Sequence, residues 1–223
     1  MTTIATLPVR IAVDAVAVNA DLRLPSGARG LVVFAHGSGS SRFSARNRRV
    51  AEFLDGQAFA TLLLDLLTPR EEAVDARTME YRFDIERLGS RVCAAVDWVG
   101  RRPDLQTLPI GCFGASTGAA AALIAAAERP TRISAVVSRG GRPDLAADAL
   151  SRVQAPTLLI VGGDDEPVIK MNRDAMRRMR AHVELAIVPG ATHLFEEPGT
   201  LEEVERLAAR WFEKYLTSTE TRS

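Results

Sequence analysis

The chain has 223 residues but only two cysteines and three histidines. The cysteines, Cys93 and Cys112, fall in a predicted helix and a predicted central strand, without the spacing of metal ligands. We therefore expect two buried thiols, which suit a reducing compartment, and no metal site built on cysteine.

An excess of charge of either sign is also missing. Lys and Arg together number 28, as do Asp and Glu, so the net charge is zero. This balance argues against nucleic acid or a membrane surface as the partner. No apolar run approaches the roughly 20 residues of a membrane-spanning helix. The first eight residues lack the basic region and apolar core of a signal peptide. We expect a soluble cytoplasmic protein.

The chain also shows no internal repeat, low-complexity segment or linker, so its length predicts one domain over residues 1–223. Residues 9–13 and 15–24 alternate apolar and polar side chains, as an antiparallel hairpin does. Apolar runs at 31–35, 60–64, 133–137, 158–161 and 183–188 predict buried strands. Helical spacing predicts helices at 45–54, 83–100 (with Phe83 inward), 144–150 (capped by Asp144), 168–180 and 201–215.

Strands that alternate with helices predict an α/β fold. We expect a mostly parallel, twisted sheet with an antiparallel leading hairpin and helices on both faces. Ligands of such sheets bind beyond the carboxyl ends of the strands. Functional residues should therefore follow strands directly.

The segment Gly114-Ala115-Ser116-Thr117-Gly118 lies between a short apolar run and an alanine-rich run that predicts a helix. It fits the G-x-S-x-G pattern of a nucleophilic serine on a tight strand-to-helix turn. That turn strains the serine backbone toward positive φ, and side chains two positions away on either side would collide. The alternative is a plain glycine-rich connection, since a pentapeptide alone is a weak signal.

Residues 36–42, which follow the predicted strand 31–35, are rich in glycine and serine. An oxyanion hole needs two backbone donors, one of them from the residue after the nucleophile. Thr117 would supply that one, and Ser38 or Gly39 would supply the other. A plain turn is the alternative. We expect His36 to brace this loop through hydrogen bonds rather than to act as a base.

Two carboxylates, Asp164 and Asp165, follow the predicted strand 158–161. A catalytic triad needs one carboxylate to orient its histidine. Asp165 is favoured because it directly precedes the Glu-Pro-Val that starts the next helix. Both residues could instead only cap that helix.

His193 follows the predicted strand 183–188 in a loop flanked by turn residues. A lone loop histidine is usually ordinary, but this one completes the chain order Ser116, Asp165, His193. His182, at a predicted helix end, is interpreted as a surface residue.

The whole chain resembles an α/β-hydrolase and is most similar to the dienelactone hydrolase-like branch, over roughly residues 10 to 215. The resemblance rests on residues 36–41, 114–118, 162–168 and 190–193. It implies a serine nucleophile, Ser116, with Asp165 and His193, an oxyanion hole at Ser38 and Thr117, and no metal or cofactor. Dienelactone hydrolase itself uses a cysteine nucleophile. Cys112 cannot take that role here, because it lies in the predicted strand before the turn at residues 114–118.

These residues predict acyl transfer to water from a small-molecule ester or lactone, in a single domain without a large lid. The alternatives are a catalytically slow binding or receptor protein of the same fold, and an acyltransferase or thioesterase. Arg42 and Arg139 follow strand ends and are candidates for binding an acidic group on the substrate. Arg139 could instead bond sheet-edge carbonyls or pair with Asp144. Oligomeric state cannot be read from the sequence.

Overall fold

The computed structural model describes residues 4–217. Within them, eight strands and six α-helices follow one another along the chain. The strands are β1 (Thr6–Val13), β2 (Val16–Arg23), β3 (Leu31–Ala35), β4 (Ala60–Leu64), β5 (Ile110–Ala115), β6 (Ile133–Arg139), β7 (Thr157–Gly162) and β8 (Val183–Val188). The helices are α1 (Ala45–Gly56), α2 (Pro69–Thr78), α3 (Ile85–Gly100), α4 (Thr117–Glu128), α5 (Glu166–Arg178) and α6 (Thr200–Leu216).

All eight strands join one sheet in the order β1-β2-β4-β3-β5-β6-β7-β8. The pairs β1–β2 and β2–β4 are antiparallel, and the others are parallel. Every residue of β3, β4, β5 and β7 is buried, as expected for parallel strands covered on both faces. The predicted fold class is confirmed.

Two apolar layers hold the helices to the sheet. On one face, β5 directs Cys112 toward residues of α3 and α4. On the other, it directs Phe113 toward residues of α1 and α6. Side chains alternate across a strand, so a single strand feeds both layers. The carboxyl ends of β3, β5, β6, β7 and β8 consequently lie at one edge of the sheet, where all the predicted site residues follow.

Three local features differ from the expectations, one because it was missed and two because the predictions were wrong. Helix α2 was not predicted, because Asp75 is its one buried residue and no apolar stripe marks it. Its local signal is a capping box between Thr68 and Glu71 with proline at the first turn. Phe83 is 56% exposed rather than inward, because α3 starts only at Ile85.

The third difference concerns the segment after β6. It forms a 3-10 helix over Pro143–Arg152, and Arg142 precedes it. Asp144 does not cap it but accepts two hydrogen bonds from the guanidinium of Arg142, at 2.9 and 2.8 Å. Residues 140–156, which include this segment, are the whole connection between β6 and β7. Among residues 4–217, none of the helices is both long and apolar enough to cross a membrane.

Candidate active site

Ser116 occupies the turn between β5 and α4. Its backbone has φ 51° and ψ −121°, a region that non-glycine residues rarely adopt. The strained turn is held from both sides. The backbone N–H of Ser116 donates to the carbonyl of Arg139 at 3.2 Å, and its carbonyl accepts from the N–H of Arg142 at 3.0 Å. The side chain therefore stands at the carboxyl edge of the sheet on a turn fixed by its own peptide groups.

The two glycines of the elbow are required by close backbone contacts. A Cβ atom at Gly114 would lie 2.4 Å from the Cα atom of Ala119 in α4. One at Gly118 would lie 2.3 Å from the carbonyl oxygen of Ala35 and 2.4 Å from that of His36. Helix α4 consequently packs directly against the end of β3. This contact brings the residue after the serine beside the loop that follows β3.

Asp165 and His193 meet at the same edge. Asp165 Oδ2 lies 2.7 Å from His193 Nδ1, and the Asp165 side chain is only 14% exposed. Asp165 precedes α5, but its side chain makes no capping hydrogen bond. Asp164 is exposed. Of the two acids that the sequence offered, Asp165 is the one that contacts the imidazole.

His193 packs beside the segment that anchors Ser116. A Cβ atom at Gly140 would lie 3.0 Å from the carbonyl oxygen of His193 and 3.6 Å from its Cε1 atom. Gly140 directly follows Arg139, whose carbonyl binds the N–H of Ser116. The Nε2 atom of His193 has no hydrogen-bond partner among residues 4–217. Because Nδ1 is engaged by Asp165, Nε2 is the nitrogen left for proton transfer.

The two predicted oxyanion donors lie on adjoining elements. The hydroxyls of Ser38 and Thr117 are 3.0 Å apart, which ties the loop after β3 to the first turn of α4. Neither backbone N–H donates a hydrogen bond within the described part of the chain. Free N–H groups at a helix N-terminus attract negative charge. The alternative donor Gly39 has φ 67° and lies at the exposed tip of the loop.

His36 is buried and braces the loop after β3, as predicted. Its Nε2 accepts from the N–H of Leu66 at 3.0 Å, so Nδ1 carries the proton and donates to the carbonyl of Gly37 at 2.9 Å. Burial lowers the pKa of His36, although the Gly37 carbonyl and the charge of Asp65 oppose this. A neutral imidazole with both nitrogens engaged has no free atom for catalysis.

A small cavity of about 30 Å³ opens beside Thr117. Its walls come from the loop after β3, from Leu66 and Leu67 after β4, and from Leu88 of α3. A larger groove of about 780 Å³ lies between α3, α4 and the 3-10 helix, and it contains none of the predicted site residues. Of these two, the small cavity is the one lined by predicted site residues, Ser38 and Thr117 among them.

The structure gives different surroundings to the two candidate substrate-binding arginines. Arg42 contacts Asp65 through its guanidinium and its backbone N–H, and it also donates to Asp21 at 3.2 Å. These carboxylates neutralise it, so its place is explained by bracing the loop rather than by a substrate. Arg139 is only 6% exposed, and among residues 4–217 Asn47 is the one that accepts a hydrogen bond from its side chain. Asn47 was not foreseen, because nothing in the polar face of α1 distinguishes it.

The two cysteines and the third histidine, His182, lie outside the candidate site. Cys93 and Cys112 are both buried free thiols. Burial raises the pKa of Cys112 far above its usual range, so this thiol stays protonated and unreactive. His182 stacks on Trp211 and contacts Glu184 on the surface, as predicted.

Comparison with known proteins adds three findings. A family model described as the dienelactone hydrolase family matches residues 18–220. The solved structure of a dienelactone hydrolase from Anabaena variabilis ATCC 29413 is 56% identical. It covers 96% of this chain and 99% of that chain, with a TM-score of 0.94. The structure of Est1E from Butyrivibrio proteoclasticus is 19% identical and covers 93% of this chain and 98% of that one. Its TM-score of 0.76 shows a shared fold alone.

Two Mycobacterium tuberculosis proteins, from strains CDC 1551 / Oshkosh and H37Rv, are also similar. Each carries the name "Putative phosphoribosyl transferase" and is 56% identical over 208 residues. The alignment covers 93% of this chain but 46% of each of theirs. The chain thus spans about half the length of these curated relatives.

Proposed function

This chain belongs to the dienelactone hydrolase family, and from that premise we propose that it is a serine hydrolase of carboxylic esters or lactones. The observation that carries the proposal is the 2.7 Å contact between Asp165 and His193, beside a serine on a strained strand-to-helix turn. A strained nucleophile, an imidazole and an orienting carboxylate together are the equipment of acyl transfer.

The first half of the reaction forms an acyl-enzyme. His193 Nε2 accepts the proton of the Ser116 hydroxyl as the oxygen attacks the ester carbonyl. Asp165 accepts the Nδ1 hydrogen and stabilises the imidazolium that forms. His193 then passes the proton to the departing alcohol oxygen, and the acyl group stays on Ser116.

Negative charge develops on the carbonyl oxygen during each half-reaction. The backbone N–H groups of Thr117 and Ser38 donate to it, a role supported by the lack of another acceptor for either group among residues 4–217. Removing one such donor from a hydrolase typically costs about 10²- to 10³-fold in kcat. The hydroxyl contact between these two residues supports this role, because it ties together the two segments that carry the donors.

Water completes the cycle by the reverse route. His193 has 39% of its side chain exposed, so a water molecule can reach its Nε2 atom. There it loses a proton to the imidazole and attacks the acyl carbon, and the imidazolium then returns that proton to the Ser116 oxygen as the acid leaves. The small cavity beside Thr117 favours a compact group on one side of the scissile bond.

A fluorophosphonate probe and a p-nitrophenyl ester test the proposal together. We expect the probe to label the wild-type chain at Ser116 and the ester to be hydrolysed. Ser116→Ala should abolish both. Labelling without turnover would favour a slow binding protein of the same fold. Turnover that rises only when a thiol or alcohol is added would favour an acyltransferase.

The name of the mycobacterial relatives raises phosphoribosyl transfer as a second candidate. We propose that this activity belongs to the part of those proteins outside the aligned region. Support comes from the Anabaena dienelactone hydrolase, which has nearly the same extent as this chain and the same 56% identity. The chain should then release no pyrophosphate from phosphoribosyl pyrophosphate in the presence of nucleobases. Release at a rate unaffected by Ser116→Ala would contradict this division.

A further inference from the structure

His193 lies on the segment that connects β8 to α6, residues 189–199. Before His193, the carbonyl of Ala191 accepts the N–H of Asp164 at 3.0 Å. After it, the side chain of Phe195 is buried in the apolar layer that contains α1 and α6. His193 lies between these two anchors and is itself partly exposed. The loop must therefore hold the imidazole in place by contacts of its own.

The carboxylate of Glu197 binds Thr192, the residue directly before His193. Its Oε2 atom accepts the backbone N–H of Thr192 at 3.1 Å, and its Oε1 atom accepts the Thr192 hydroxyl at 2.6 Å. Hydrogen bonds to an ionised carboxylate are stronger than neutral ones. The bond from the Thr192 hydroxyl is the largest of the interactions that hold the pKa of Glu197 below its ordinary value, so this carboxylate is charged at neutral pH. Two bonds at once fix both the position and the orientation of the residue that precedes the base.

The backbone of Glu197 is itself anchored. Its carbonyl accepts the N–H of Thr200 at 3.1 Å and the Thr200 hydroxyl at 2.7 Å. Thr200 is the buried first residue of α6. Glu197 thus connects Thr192 to the start of a helix that packs on the sheet. Within residues 4–217, Glu197 forms no ion pair, whereas the neighbouring Glu196 pairs with Arg46 at 2.9 Å. Thr192 therefore shares this carboxylate with no cation of that part of the chain.

We propose that Glu197 is a positioning residue for His193. By holding Thr192, it keeps the imidazole where Nδ1 meets Asp165 and Nε2 stays free for the proton of Ser116. This role rests on the proposed hydrolase function and adds to it a residue that touches neither the substrate nor the reacting atoms. Catalytic side chains must be held to within about 0.5 Å of the productive geometry. A displacement of about 1 Å can cost about 10²-fold in rate, so a loop that loses this contact should keep its fold but lose turnover.

Turnover of a p-nitrophenyl ester tests the proposal. Glu197→Ala removes both hydrogen bonds and should lower kcat by about 10- to 30-fold, as expected for a partly displaced base, while KM stays within about twofold. Glu197→Gln keeps the length of the side chain and one acceptor oxygen, so its kcat should fall only about three- to fivefold below that of the wild type. The matched control is Glu196→Ala, which removes the adjacent carboxylate without touching Thr192 and should stay within about twofold.

Thr192→Ala tests the contact from the other side. It removes the hydroxyl but leaves the backbone N–H, so its kcat should resemble that of Glu197→Gln. Because Glu197→Ala has already lost both bonds, adding Thr192→Ala should lower kcat no further. Losses that multiply would contradict the proposal, since the two residues would then act separately. Thr192 is exposed, so this variant decides in place of Glu197→Ala if the latter does not fold.

The tautomer of His193 gives a readout that a general loss of stability would not change. The chain has only three histidines, so a sample with labelled ring nitrogens gives a simple nuclear magnetic resonance spectrum. The hydrogen bonds that a neutral imidazole makes decide which of its nitrogens carries the proton. At about pH 8, where an ordinary imidazole is neutral, His193 of the wild type and of Glu196→Ala should carry the proton on Nδ1, which contacts Asp165. In Glu197→Ala a larger fraction should carry it on Nε2, because the ring no longer stays on Asp165.

Several results would overturn the proposal. An unchanged kcat in Glu197→Ala is one, and an unchanged His193 tautomer is another, because the imidazole would then still be held on Asp165. An equal loss in Glu196→Ala would assign the effect to the charge of the loop rather than to the contact with Thr192. A higher KM with an unchanged kcat would place Glu197 in substrate binding. If the wild type hydrolyses no ester, the hydrolase is refuted, and the tautomer still decides the role of Glu197.

Discussion

Replacement of Asp165 by asparagine is the sharpest test of the proposed triad. The substitution keeps the size of the side chain but removes its charge from a 2.7 Å contact with His193 Nδ1. An asparagine amide can also donate to Nδ1. The proton would then move to Nε2, the nitrogen that must be free to accept the hydrogen of Ser116. The variant should bind substrate normally but lack a competent base.

The expected magnitude follows from that exchange of tautomers. An aspartate-to-asparagine change at this position of a serine triad lowers kcat by about 10⁴-fold. At 1.36 kcal/mol for each factor of ten, this is a loss of roughly 5.4 kcal/mol of transition-state stabilisation. Because the Asp165 side chain is only 14% exposed, water can replace little of its interaction with the imidazolium.

Asp164→Asn is the matched control, since it makes the same change of charge one residue away at an exposed side chain. The assay is kcat/KM on a p-nitrophenyl ester, with circular dichroism to verify folding. We expect Asp164→Asn to stay within about threefold of the wild type, as an exposed carboxylate contributes little. A larger loss for Asp164→Asn than for Asp165→Asn would refute the assignment. So would an Asp165→Asn variant within tenfold of the wild type.

Three further predictions concern other parts of the site. Ser116→Ala and His193→Ala should each lower kcat by about 10⁴-fold or more, and the double variant should be little worse, whereas multiplicative losses would mean that the two act independently. Gly118→Ala would place a Cβ atom 2.3 Å from a carbonyl oxygen at the end of β3. It should lower kcat/KM by about 100-fold through displacement of α4, while Gly56→Ala, which meets open space, should change little in the same assay. Because burial lowers the folded-state pKa of His36, the unfolded chain binds more protons below the ordinary value of 6.5. As the pH is lowered below 6.5, the free energy of unfolding should therefore decrease by up to about 1.36 kcal/mol per pH unit. Urea titrations of His36→Gln should lack this part of the pH dependence.

The alternation of strands and helices was predictable because it depends on local pattern. Strands β4 and β8 begin and end where the apolar runs predicted, at Ala60–Leu64 and Val183–Val188. Helix α2 was not predicted because it buries only one residue. Its capping box and the ion pairs of Glu71 with α3 stabilise it instead. Hydrophobic periodicity cannot detect a helix that presents no apolar face.

The strained turn that carries the candidate nucleophile Ser116 was also predictable, for a steric reason. Gly114 has no room for a side chain because it contacts Ala119 in the first turn of α4, and Gly118 has none because it contacts the end of β3. Both requirements appear as glycines at fixed spacing around Ser116, so the pentapeptide itself predicts the turn. The choice between Asp164 and Asp165 was different. Both acids follow β7, and the sequence could only favour one from its position before α5. The structure shows which carboxylate contacts His193.

The two arginines show what local sequence leaves undecided. Arg42 and Arg139 both follow strand ends, and as residues in a sequence they are equivalent candidates for an anion site. Arg42 is neutralised by Asp21 and Asp65, which come from other strands and the loops after them. Within residues 4–217, the Arg139 side chain donates a hydrogen bond only to the amide oxygen of Asn47, and the guanidinium of Arg46 repels it. The amino-acid sequence thus determined the elements and the chain order of the candidate catalytic residues, since these depend on short-range pattern and sterics. Whether the guanidinium of Arg42 or of Arg139 is paired with a carboxylate depends on side chains distant in sequence, and only the tertiary structure decided that.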